Sequence, residues 1–230
     1  MQTLDVIAHI HTDFPSKFGI PRQSGLVDAL KGEIVFTEKY RDASALRGIE
    51  GYSHLWLIWQ FSKSVTERFS PTVKPPRLGG NRRVGVFATR SPFRPNPLGL
   101  SCVKLEKVEW HTPSGPVLRV AGADLLDGTP IYDIKPYLPY VDSHPDAAGG
   151  FTDRIDYARL SVDFPAALLD RIPGEKREAL IEVLAQDPRP GYRHEADARH
   201  YGVEFAGFDV RFVVDGEVLR VVEVEALTKK

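Results

Sequence analysis

The 230 residues contain one cysteine, Cys102. No internal disulfide can form, and a cysteine-based metal centre is excluded. There is no apolar run of about eighteen residues, the length a membrane-spanning helix needs. The opening Asp5-Val6-Ile7-Ala8-His9-Ile10 is strand-like rather than a secretory leader, so a cytoplasmic protein without membrane contact is expected. No Gly-x-Gly-x-x-Gly follows a strand, which leaves a Rossmann cofactor fold unsupported. The Gly-x-x-x-x-Gly-Lys-Ser/Thr loop for ATP is absent too. A Gly-x-Ser-x-Gly nucleophile elbow is also missing. Among the seven histidines only His9 and His11 share a strand face, a spacing that is either coincidence or a metal pair; no metal is expected. His54 opens an apolar run and reads as a hydrogen-bonded structural histidine. No internal repeat is visible.

What is present describes an ordinary globular chain, 42% hydrophobic and 27% charged, long enough for one large domain or two smaller ones. The formal net charge is only -1, yet its distribution is uneven. Between Gln60 and Lys104 stand Lys63, Arg68, Lys74, Arg77, Arg82, Arg83, Arg90, Arg94 and Lys104, opposed by Glu67 alone. Such a basic face attracts phosphates while the whole chain stays neutral.

Short strand signals dominate the first 140 residues. After the opening strand, Lys17 to Leu26 is a loop, Ile34 to Phe36 starts a strand, and His54 to Phe61 is apolar on both faces, as in a central core strand. Ser70 to Asn81 reads as irregular. Strands are expected at Arg83 to Ala88, Ser101 to Trp110, Pro116 to Ala121 and Ile131 to Ile134. Many short strands broken by Gly and Pro point to a β-barrel or sandwich. Lys135 to Asp142 is stiffened by Pro136 and Pro139, and Ser143 to Asp153 is small and polar, which marks a boundary. Beyond it a strand at Ala158 to Phe164, helices at Pro165 to Ile172 and Gly174 to Gln186, and a hairpin about Asp215-Gly216 predict a small α+β domain. The expected division is 1–145 and 155–230.

The most constrained stretch is Thr89 to Ser101. Pro92, Pro95 and Pro97 fix φ and disfavour helix at the residue before each, so the segment is extended or turning. It carries Arg90 and Arg94, guanidinium groups on a rigid backbone, as a site for an anionic or planar ligand requires. A proline-stiffened crossing with solvated arginines is the other reading. Asp124 and Asp127, around Gly128, either build a turn or offer carboxylates to a ribose or a substrate amine.

Taken together, Pro21-Arg22-Gln23, Gly51 to Trp56, Arg77-Leu78-Gly79-Gly80-Asn81, Gly85 to Ser101, Asp124 to Pro139 and Gln186 to Tyr192 give the sequence a resemblance to the TsaA-like (TrmO) family of tRNA methyltransferases. The resemblance runs through both halves of the chain. It implies a mainly β protein: a closed, non-Rossmann β-barrel that binds S-adenosylmethionine, followed by the α+β domain. It also implies methylation of N6 of N6-threonylcarbamoyladenosine at position 37, beside the anticodon, by a homodimer. The cofactor contacts it assigns are Pro21, Arg22, Gln23, Ser62, Lys63, Arg90, Leu100, Asp124, Leu125, Leu126 and Asp127.

For the anticodon stem-loop, Arg82 and Arg83 are phosphate candidates, and Arg94 or Lys135 a partner for the threonine carboxylate. Phe93, Tyr137 and Tyr140 are candidates to stack on bases. No motif of the family settles the catalytic base; Asp133 and Asp142 are candidate proton acceptors. A non-catalytic tRNA-binding module and a methyltransferase for another substrate are the alternatives.

Overall fold

The structure, a computed structural model, describes residues 3–64, 68–75, 82–155, 157–189 and 199–228. Among these, the strands of the first half are β1 (Ala8–Thr12), β2 (Lys31–Phe36), β3 (His54–Gln60), the two-residue β4 (Thr72–Val73) and β5 (Val84–Gly85), β6 (Leu98–Thr112), β7 (Gly115–Ala121) and β8 (Thr129–Pro136). Six of them close into a barrel in the order β1-β2-β7-β6-β3-β8, while β4 and β5 pair as a separate ribbon. Every barrel pairing is antiparallel. Closure leaves no open sheet edge and sends alternate side chains inward.

The inward row of β3 is Leu55, Leu57 and Trp59, which join Ile10, Ile34, Val103, Leu118 and Ile131 in the barrel core. Trp56 and Ile58 face outward and are only half-buried. The strand is therefore apolar on both faces without being buried on both, because a small barrel has a single filled interior. Trp56 satisfies its indole N–H at the surface, donating to Asp142 at 3.0 Å.

The strand expected at Arg83 to Ala88 is a correction. Only Val84–Gly85 pairs, against β4, and Val86–Ala88 turns into a 3₁₀ helix. The turn carries Val86 into the interior, and the hydroxyl of Thr89 donates to the Val86 carbonyl at 2.8 Å. Two residues of β4 offer too short a partner for a longer strand. Arg77 to Asn81 and Pro190 to Tyr192, two parts of the family resemblance, lie outside the described residues.

After a one-turn helix α1 (Pro139–Asp142), the second unit holds β9 (Ser161–Asp163), α2 (Ala166–Leu169), α3 (Gly174–Ala185), β10 (Tyr201–Phe205), β11 (Phe208–Asp215) and β12 (Val218–Ala226). Its sheet has the order β10-β11-β12-β9. β9 and α2 are shorter than expected from sequence, and β10 is additional. Its signal was the alternation Tyr201, Val203, Phe205, joined to β11 by Ala206 and Gly207, both at positive φ. The second hairpin turns on Gly216-Glu217, with Asp215 and Val218 as its last pair.

One connection binds the two units. Residues 13–30, between β1 and β2, leave the barrel and place Phe14, Val27 and Leu30 in the core formed by α3 and the second sheet. Phe14 meets Phe205 edge-on, centroids 5.3 Å apart. The Asp13 carbonyl accepts from Ala206 N at 2.8 Å, and the Asp13 carboxylate pairs with Lys176 at 2.7 Å. Gly19, at φ +93°, lies so close to Val203 that an added Cβ would stand 2.8 Å from its Cγ1.

Phe14 is 1% exposed. Phe14→Ala is expected to cost about 3–5 kcal/mol, as buried Phe-to-Ala changes do, with the second unit losing stability first. Urea unfolding followed by amide exchange measures it. A loss below about 1 kcal/mol would show that the connection only rests on the second core.

Candidate functional site

The proline-rich stretch forms one wall of a cavity of about 750 Å³. Thr89, Arg90, Pro92 and Arg94 approach β6, whose first residues Leu98, Gly99 and Leu100 continue the wall. The facing side comes from the end of β3 and the turn after it, Trp59 to Ser64. Lys17 to Gln23 in the β1–β2 connection, the turn before β8 with Asp124 and Leu126, and Pro188-Arg189 after α3 complete it.

From Leu98 on, the stretch is held in the β3–β6 ladder. Before it, turns hold the chain, with Ser91 N donating to the Thr89 hydroxyl at 3.2 Å, Phe93 N to the Ser91 hydroxyl at 3.2 Å and Arg94 N to the Pro92 carbonyl at 2.9 Å. Phe61 N donates to Pro97 O at 2.8 Å, which ties the stretch to β3.

Lys17, Arg22, Lys63, Arg90, Arg94 and Arg189 all line this cavity; among the described residues Asp124 is the one carboxylate in the lining. The cations are oriented largely by neutral acceptors. Arg90 donates to Gln23 Oε1, Gln23 to the Arg22 carbonyl, and Arg94 to the Thr89 carbonyl at 3.3 Å. Lys17 donates to Lys63 O and to the Ser64 hydroxyl. Arg22 reaches the Arg189 carbonyl at 3.5 Å, and Arg189 itself forks onto both Asp187 oxygens at 2.8 Å. Asp124 accepts from the Ser101 hydroxyl at 2.5 Å. Desolvation pushes its carboxyl above the ordinary aspartate range, partly offset by Ser101, the Ser24 and Asp124 amides and the Arg90 charge.

Of the residues assigned to the cofactor by resemblance, Pro21, Arg22, Gln23, Ser62, Lys63, Arg90, Leu100, Asp124 and Leu126 come together here. Leu125 does not line the cavity; it is fully buried in the barrel core. Asp127 is outside the lining too, exposed, accepting from Thr12 N at 3.1 Å and lying 3.2 Å from His11 Nδ1. Two residues, Leu125 and Leu126, separate two aspartates with different surroundings.

Of the substrate candidates, Arg94 lines the wall and Phe93 is 50% exposed. Arg82 is exposed, whereas Arg83 binds across the β4–β5 ribbon, to the Thr72 hydroxyl at 2.6 Å and the Thr72 carbonyl at 3.0 Å. The remaining candidates sit elsewhere. Lys135 pairs with Asp133 at 2.8 Å, opposite Trp56 on β3, and Tyr137 packs against His54 and Trp56. Tyr140 is exposed. Asp142 accepts from Leu138 N at 2.8 Å and from Trp56, and the Leu138 amide leads in holding its carboxyl below the usual range. Trp56 and His54 lie three and five residues before Trp59, where the lining begins, roughly 10–17 Å of strand from the cavity. Neither Asp133 nor Asp142 lines the cavity of its own chain.

Sequence reading assigned no role to Lys17, Trp59, Ser101 or Arg189. Arg189 lay within the matched Gln186 to Tyr192 stretch, which was the available signal; Lys17 offered none.

A model of the tRNA-methyltransferase O N-terminal domain matches residues 9–143, and one of the TrmO C-terminal domain matches residues 157–227. Over 215 residues, 90% of this chain and 91% of the other, the sequence is 45% identical to the tRNA (adenine(37)-N6)-methyltransferase of Escherichia coli strain K12. It is 39% identical over 212 residues, 90% of each chain, to a Pseudomonas aeruginosa protein described as a putative S-adenosylmethionine-dependent methyltransferase RcsF. A crystal structure of TrmO from Pseudomonas aeruginosa superposes with a TM-score of 0.79 at 33% identity, covering 98% of this chain and 97% of that one. With both of its halves matched in this way, the chain belongs to the TrmO family.

Proposed function

We propose that this chain transfers a methyl group from S-adenosylmethionine to N6 of adenine 37 in tRNA, the activity for which its relatives are named, and that the adenine it accepts carries an N6-threonylcarbamoyl group. The observation that carries this reading is the meeting of Pro21 to Gln23, Ser62, Lys63, Arg90, Leu100 and Asp124, from separate segments, around one cavity.

The cavity's chemistry fits the cofactor. Its volume of about 750 Å³ lies within the range of small-molecule sites. Arg22 and Arg90 suit an aminoacyl carboxylate, and Asp124 suits a ribose diol. When bound, S-adenosylmethionine supplies a methyl group on a positively charged sulfur that a nitrogen can displace in line. The chain's part is positioning and exclusion of water, by Trp59, Phe61, Leu98 and Leu100 along the wall. Arg94 takes the threonine carboxylate, Phe93 stacks on an unpaired base, and Arg82 meets a phosphate.

Loss of the N6 proton needs an acceptor. Asp133 and Asp142 stand away from their own chain's cavity and serve it only from a second copy, so a homodimer is part of the proposal. Exposed Leu100, Tyr140 and Val141 supply apolar surface for it. Residues 1–145 and 155–230 are its two domains, and its place is the cytoplasm, with tRNA.

Calorimetry with S-adenosylmethionine tests the cofactor site. Arg90→Ala is expected to weaken binding by about 1.5–3 kcal/mol, the range of a charge-assisted hydrogen bond. Full affinity in the folded variant removes Arg90 from the site, and no binding by the parent chain favours a non-catalytic tRNA-binding module.

Substrate recognition is tested by methyl transfer to tRNA with and without the threonylcarbamoyl group. Transfer to the unmodified tRNA is expected to be undetectable or at least tenfold slower, since an arginine built to pair with a carboxylate is left unmatched. Equal rates would point to a broader RNA methyltransferase.

For the basic face, Arg82→Ala is expected to reduce the slope of log K against log salt for tRNA binding by about 0.7–0.9, one phosphate contact. Cofactor affinity stays constant. An unchanged slope means that Arg82 touches no phosphate.

A further inference from the structure

Ser101 is a fully buried polar residue on β6, and its hydroxyl stands between two partners of opposite character. On one side Trp59 Nε1 donates to its Oγ at 2.9 Å; on the other its Oγ donates to Asp124 Oδ1 at 2.5 Å. Indole N–H is a donor only, so the hydroxyl must accept from Trp59 and direct its single proton to the carboxylate. With Asp124 ionised, the direction of this relay is thereby fixed. It joins β3, β6 and the turn before β8, the same segments whose ends form the cavity.

The relay is built into the strand register. Trp59 pairs with Gly99 across β3 and β6. A Cβ on Gly99 would run into the indole ring, so glycine at this position lets the ring lie against β6. Phe61 closes on the ring from the side, centroids 4.3 Å apart, and leaves Trp59 only 7% exposed. An indole clamped in this way holds its N–H at one place. Asp124 itself lines the cavity, and the hydroxyl engages one of its two oxygens.

We propose that Ser101, oriented by Trp59, is a positioning residue of the methyl-transfer site: it anchors one oxygen of Asp124 so that the carboxylate meets the cofactor's hydroxyls in a fixed orientation and as an ion. The proposal rests on the reading of Asp124 as a cofactor contact. Buried surroundings favour the neutral acid, and the Ser101 proton opposes them by stabilising the charged form. Arg90 is the charged group that faces the carboxylate, and the amides of Ser24 and Asp124 contribute to the same end. Loss of the Ser101 hydroxyl leaves these three and still raises the pH at which the carboxylate takes up a proton.

The test measures S-adenosylmethionine affinity by calorimetry between about pH 5 and pH 9, on the full chain, for Ser101→Ala, Ser101→Thr, Trp59→Phe and Asp124→Asn, each checked for folding by thermal melting. Ser101→Ala is expected to weaken binding about tenfold or more at neutral pH, one charge-assisted hydrogen bond, and to move the acid limb of binding to higher pH. Ser101→Thr keeps the hydroxyl and recovers most of the affinity and the original acid limb. Trp59→Phe keeps a ring but frees the hydroxyl to rotate, with a smaller shift in the same direction; it carries the test if Ser101→Ala fails to fold.

Weak binding by Asp124→Asn together with full affinity and an unmoved acid limb in Ser101→Ala, or in Trp59→Phe where that variant stands in, overturns the positioning role alone. Threonine behaving as alanine does the same. Full affinity in Asp124→Asn overturns the underlying reading of Asp124.

Discussion

Closure of the barrel through β3 is the constraint on which the cavity depends. β3 bonds to β6 on one side and β8 on the other, and its register with β6 brings Trp59 onto Gly99 and Ser101 within reach of the indole. A slip of one residue would turn every side chain of β3 to the opposite face. Leu55 and Leu57 would leave the core, and Trp59 would leave the cavity wall. Packing of the barrel interior and construction of the site are therefore one event, and the hydrophobic core sets the position of a carboxylate.

Around that frame the charges are arranged with economy. Arg90, Arg94 and Lys17 hydrogen-bond to amide, carbonyl and hydroxyl oxygens, which orient a cation without neutralising it. Arg189 differs, forked onto Asp187 and 8% exposed. Its bidentate pair stiffens the local turn, and the Arg22 guanidinium, donating to the Arg189 carbonyl at 3.5 Å, joins that turn to the cavity wall. Among the described residues Asp124 is the one lining carboxylate, and it sits among these cations in a desolvated wall.

The second unit shapes this site from outside the barrel. Phe14, Val27 and Leu30 are buried in its core, and the chain between them supplies Lys17 to Gln23 to the cavity. Gly19 against Val203 marks the closest approach. Packing in one unit consequently places Pro21 to Gln23 at a cavity walled mainly by the other.

Local chemistry alone determined a good part of this protein. Pro92, Pro95 and Pro97 fix backbone angles wherever they occur, so an extended, turning stretch carrying Arg90 and Arg94 was readable directly. The helix of α3 and the alternation of β11 and β12 were equally local. Tertiary structure decided which of the neighbouring candidates meet. Asp124 faces the cavity and Asp127 faces His11 because the chain turns between them. Asp133 is set opposite Ile58 by the β3–β8 register, and Asp142, beyond β8, is held at the outer face by the Trp56 indole and the Leu138 amide. Arg189 and Lys17 arrive from distant positions, through a core whose members are far apart in sequence. Backbone preference acts over a few residues, whereas pairing register and packing join residues as distant as Trp59 and Gly99 or Phe14 and Phe205, and only their joint solution puts a wall around a cavity.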